Sequence, residues 1–203
     1  MKSFVAIFAL VAALGMASAA PTRDLQSDLH EFVELIPIAE MREVAKRYIA
    51  TDAEVQRALK YLQGPEWAEL VQIVHDHPTW QEFKAFLLEA GINIDDIIAM
   101  IHDIISGAGK SANVHSTRGM REFIDELKAL VPTDKLIALL GDKLSNSADF
   151  QEFWVKISGD KAHKMFDEIR ALPEVQRVAD VLREMGIDVD KVLDVIYTLF
   201  GWN

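Results

Sequence analysis

Apolar residues recur at three- and four-residue spacing along most of the chain, and two-residue alternation bounded by turn residues is never sustained. Leu25, Leu29, Phe32 and Ile36 fall on one face of a helix predicted over residues 24–35, which Pro37 stops. A second helix carries Met41, Val44, Ala45 and Tyr48. Thr51-Asp52-Ala53-Glu54 then reads as a capping box, in which the Thr hydroxyl and the Glu carboxylate satisfy free amides at the start of the next helix. Gly64-Pro65 ends that helix and opens another at Pro65, where a missing amide hydrogen costs nothing. Pro78 separates it from a helix over residues 79–90, Gly91 suits the left-handed position that closes a helix, and Asn93 or Asp95 begins a last one over residues 94–105. The pattern predicts an all-α fold.

The breakers repeat. An offset of 95 residues places Leu29 to Pro37 on Ile124 to Pro132, Gly64 on Gly159, Pro78 on Pro173, Gly91 on Gly186 and Asp95 on Asp190, without a gap. Chance can supply any single pair, but not this register of Pro and Gly. The second copy has Thr133, Ser145 or Asn146, Asp160, Pro173 and Asp188 near its helix starts and Gly186 as a stop. Residues 107–119 are small, polar and glycine-rich, as a linker requires. The chain therefore divides into a first helical repeat over residues 20–106, a linker over 107–119 and a second repeat over 120–203.

Residues 1–19 belong to neither copy. Lys2 precedes an apolar run from Phe4 to Met16, and Ala17-Ser18-Ala19 supplies the small residues of a cleavage site, so the segment reads as a secretory signal peptide. The run is about 13 residues, short of the roughly 20 that span a bilayer. An exported protein without cysteine has no disulfide to limit the entropy of its unfolded chain, and must hold together by burial alone. No Asn-x-Ser/Thr triplet is present for glycosylation. The net charge of −11, from 32 acids against 21 bases, argues against a nucleic-acid partner, whose phosphates demand clustered Lys and Arg.

Candidate chemistry is sparse. Gly109-Lys110-Ser111 matches the tail of a phosphate-binding loop, but Ile104 stands where that loop needs glycine and a helix stands where it needs a strand. His75 and His77 point in different directions on a helix, whereas a helical metal pair wants a spacing of three or four. A cationic His beside the last carbonyls of that helix is a sufficient role, and the second copy has Arg170 and Leu172 at these positions. Asp95-Asp96 lies at a helix start, where acids meet the dipole favourably. No catalytic residue, metal ligand or cofactor site is assigned. What remains is the last helix of each copy, apolar around most of its circumference and so expected at the centre of the assembly. One reading makes these central packing helices; the other has them line an enclosed apolar volume.

The signal peptide, the cysteine-free tandem copies, the helix-ending Leu35-Ile36-Pro37 and Leu130-Val131-Pro132, and the Gly91-to-Asp95 and Gly186-to-Asp190 segments together resemble the insect allergen-related repeat family. That family includes the major cockroach allergen, midgut microvillar proteins and the nitrile-specifier proteins of caterpillars. The resemblance implies one helical capsule around a hydrophobic cavity that holds fatty acids or phospholipids, secreted into the gut lumen or onto the microvillar surface. It implies no catalytic residue. With it, Ile97, Ile98, Ile101, Ile104, Val192, Val195, Ile196 and Leu199 become the expected cavity lining, with tolerance of chain type and little head-group selection. The alternatives are a nitrile-specifier-like detoxification protein and a ligand-free structural protein of the microvillus. The acidic charge counts against direct adhesion to anionic lipid.

Overall fold

The computed structural model describes residues 23–96, 98–99 and 119–202. The fold is all-α, and no strand occurs among the described residues. The first half holds α1 (Arg23–Glu34), α2 (Ile38–Thr51), α3 (Ala53–Leu62), α4 (Pro65–Asp76) and α5 (Pro78–Glu89), followed by helical residues 94–96 and 98–99. The second holds α6 (Gly119–Leu130), α7 (Thr133–Asn146), α8 (Ala148–Ser158), α9 (Asp160–Arg170), α10 (Pro173–Glu184) and α11 (Val189–Phe200). The bounds of α2 and α5 recur in α7 and α10 at the 95-residue offset. Gly91 and Gly186 both take positive φ, at 96° and 85°, the conformation that closes a helix without a Cβ clash. The signal peptide and residues 107–118 of the linker lie outside the described residues; Gly119, at the linker's end, is the buried first residue of α6.

The helices pack across the two halves more than within them. α1 lies against α7 and α8, and its counterpart α6 lies against α2 and α3; α5 packs on α9 as α4 packs on α10. Leu25, Leu29, Phe32 and Ile36 of the first half join Leu136, Phe150, Phe153 and Ile157 of the second in the largest buried cluster. A second cluster places Val44, Tyr48, Val55 and Leu59 against Met120. Apolar area removed from water at about 25 cal/mol per Å2 is what holds a chain without disulfides together.

The two cross-half contacts differ in chemistry at equivalent positions. Tyr48 meets Phe123, ring centroids 5.3 Å apart. The counterparts of these residues at the 95-residue offset are Lys143 and Asp28, whose Nζ and Oδ1 form an ion pair at 2.7 Å, with Glu31 also 2.7 Å from Nζ. Lys143 and Asp28 are both buried. Burial presses the Lys143 ammonium towards its neutral form, but the hydrogen bonds it donates to the two carboxylates outweigh that and hold the group above the usual lysine range.

Three helix starts differ from the sequence expectation. Thr51 is the last residue of α2 and its hydroxyl donates back to the Arg47 carbonyl. The cap of α3 is Asp52, whose Oδ1 accepts from the Glu54 and Val55 amides while Oδ2 accepts from Gly119 N at 3.2 Å. A carboxylate serves the helix dipole better than a hydroxyl and has a second oxygen free to cross the halves. Ser147, not Ser145 or Asn146, caps α8 by accepting from Phe150 N, because α7 continues through Asn146. His77 Nδ1 accepts from Thr79 N at the start of α5.

Candidate functional site

An apolar cavity of about 180 Å3 lies between α5, α8, α9 and α11. Three- and four-residue spacing supplies its walls. Phe83, Phe86 and Leu87 form one stripe of α5, Val192, Val195, Ile196 and Leu199 one stripe of α11, and Ala162 and Phe166 one face of α9. Ile92 and Ile94 follow α5 into the wall, Ile157 comes from the end of α8, and Phe200 and Trp202 close the far side. Every one of these side chains is apolar. A dry cavity of 150 Å3 lined by Leu, Ile and Phe takes up benzene or xenon, and water needs two to four polar partners that this lining does not offer.

Trp202 is placed by the end of α11. Gly201 adopts φ 69°, so the chain reverses and the Trp202 amide bonds to the Tyr197 carbonyl at 2.9 Å. The indole Nε1 donates to the Ser158 carbonyl at 2.7 Å, and the ring stacks on His163 at 5.0 Å with an interplanar angle of 6°. Tyr197 donates to Asp167 on α9. Burial, then that carboxylate, pushes the Tyr197 phenol up, against an opposing pull from Arg170. His163 Nε2 and an Arg170 guanidinium nitrogen lie 3.3 and 3.6 Å from Asp167. This polar cluster ties α11 to α9 and contributes only its apolar neighbours to the lining.

Of the eight residues expected to line a cavity, Val192, Val195, Ile196 and Leu199 are at its wall. Ile98 is 48% exposed and is not part of the described lining, which reaches Ile94 one turn earlier. Ile97, Ile101 and Ile104 lie outside the described residues. The expectation that α11 sits at the centre is corrected: none of its residues is buried. Its apolar stripe borders space instead of packed side chains, so residual accessible surface remains. The α5 stripe, on a weakly amphipathic helix, and Ala162, Ile157 and Trp202 carry no signal of a shared cavity until the fold brings them together.

Among the described residues, no three His, Asp or Glu side chains are grouped to hold a metal ion. No helix there is long and apolar enough to cross a membrane. The family model described as "Insect allergen related repeat, nitrile-specifier detoxification" matches residues 24–193. Among curated proteins, Protein G12 of Anopheles gambiae is 29% identical over 211 residues, covering 100% of both chains.

Proposed function

The chain belongs to the insect allergen-related repeat family, and from that membership we propose that it is a secreted, non-enzymatic protein that carries apolar ligands, acyl groups of fatty acids or phospholipids, in its internal cavity. The observation that carries the reading is the wall of the 180 Å3 cavity, built from five separate segments of the chain and wholly apolar. Side chains lining a cavity make fewer contacts with one another than those of a packed core. Transfer of acyl methylenes into it returns about 0.8 kcal/mol for each one buried. Such a ligand needs no catalytic group, in keeping with a lining that offers no nucleophile, acid or base. Export follows from the sequence pattern of residues 1–19, and the family resemblance implies the gut lumen or the microvillar surface as the destination.

Native mass spectrometry and lipid extraction of the purified protein test the reading. Copurifying acyl lipid, or uptake of added fatty acid, is expected, and Ile196→Trp should lower the load severalfold while the far-ultraviolet helix signal is kept. Protein that is free of lipid and takes none up would overturn it.

A further inference from the structure

The faces that join the two halves make equivalent contacts with different chemistry. α1 meets α7 and α8 as α6 meets α2 and α3. At the first contact Asp28 pairs with Lys143 at 2.7 Å and accepts from the Ser147 hydroxyl, while Glu31 also pairs with Lys143. At the second contact Phe123 packs on Tyr48, Glu126 pairs with Arg47, and Asp52 accepts from Gly119 N. At the 95-residue offset Asp28 corresponds to Phe123, Tyr48 to Lys143, Glu31 to Glu126 and Asp52 to Ser147. A first half set in this geometry against another first half would therefore place Asp28 on Tyr48 and beside Asp52, at both contacts. Asp28 is 9% exposed and Asp52 1%, so two carboxylates would be enclosed together with no lysine between them. A buried charge deprived of its partner is strongly destabilising. A second half against its like would place Lys143 on Phe123 twice, with Glu126 in the role of Glu31 and nothing in the role of Asp28.

We propose that the face joining the halves is a recognition surface coded by charge, which fits only the opposite half. A first half accepts the Lys143 and Ser147 face of a second half and rejects its own kind, because Asp28 finds a cation in one case and a second acid in the other. Specificity arises here from what the wrong partner leaves unpaired as much as from what the right one supplies. Two copies of the chain thus have no self-complementary route through like halves, and association through this surface requires opposite halves.

Urea unfolding of the full chain and three variants tests this. Phe123→Asp with Lys143→Tyr puts first-half side chains at both contacts, and should lower the folding equilibrium constant about a hundredfold or more, the cost of a buried charge without its partner. Asp28→Phe with Tyr48→Lys puts second-half side chains at both. It should lose less, since Lys143 keeps Glu31, yet remain below the unchanged chain. All four substitutions together exchange the ring pair and the ion pair between the contacts, with Glu126 beside the new lysine as Glu31 is beside Lys143. That chain should be about tenfold or more above the Phe123→Asp, Lys143→Tyr variant, although two further buried positions are altered. Additive damage would place it below both double variants and overturn the proposal. Either double variant matching the unchanged chain would also overturn it, since like side chains would then be free to pair. If the Phe123→Asp, Lys143→Tyr variant does not fold at all, folding of the four-substitution chain is the recovery, and its failure to fold is the refutation.

Discussion

Lys143 is held with 8% of its surface exposed between Asp28 and Glu31, and removing it would leave Asp28 buried without its cation. Breaking a buried pair in this way costs about 3–5 kcal/mol, so Lys143→Met should lower the urea midpoint sharply. The pair also has a pH signature. Lys143 has a folded pKa above its ordinary 10.5, so its contribution is complete below that value and is lost as pH rises through the folded pKa. Tyr197 acts in the same sense, since burial and Asp167 raise it above 10.0 and the native state keeps a proton that the unfolded chain gives up. Urea unfolding between pH 8 and 11 should show stability level at first and falling above about pH 10, with a shallower fall in Lys143→Met; a pH-independent midpoint would remove both arguments. The same scale shows what residue pattern could and could not reveal. Asp52 was visible beside Thr51, yet its choice as cap depends on where α2 stops and on Gly119 approaching from 67 positions away.

At the scale of elements, α11 shares with α4 and α10 the lack of any buried residue. α1 and α8 bury Leu29, Phe32, Phe150 and Phe153 to 3% exposure or less, whereas no residue of α11 is buried. Its ties to the body are partly apolar, through Ile196, Leu199 and Phe200, and partly polar: the Arg183 fork on Asp190, with the Nη2 contact at 2.7 Å and Nε at 3.1 Å, and the Tyr197–Asp167 bond. Exposed ion pairs of the first kind contribute little, about 0–1 kcal/mol. With no buried residue in α11, local opening should cost less here than in α1 and α8. Hydrogen exchange followed by mass spectrometry is expected to label α11 well before α1 and α8, and bound octanoate should slow that labelling; protection of α11 equal to that of α8 would contradict the picture. The helix and its apolar stripe were legible from spacing alone. Its lack of fully buried residues was not, because an all-round apolar helix bordering a cavity and one inside a packed core have the same periodicity.

For the whole molecule, the exchange of partners between halves is the organising feature. The contact made by Tyr48 and Phe123 recurs as Lys143 and Asp28, so one packing geometry is filled once by aromatic rings and once by charge. Asp28→Phe combined with Lys143→Tyr should then be neutral or stabilising by about 1–4 kcal/mol, since well-packed apolar side chains often replace a buried pair without loss. Chemical denaturation measures it, and a loss of several kcal/mol would show that the two contacts are not interchangeable. The sequence by itself determined the all-α class, most helix bounds and the family likeness, because breakers and helical periodicity act over a few residues and need no distant partner. Tertiary structure alone decided that α11 and α5 border one cavity and that Trp202 closes it. Void volume and charge proximity arise between segments far apart in the chain, and local pattern carries no record of how closely those segments meet.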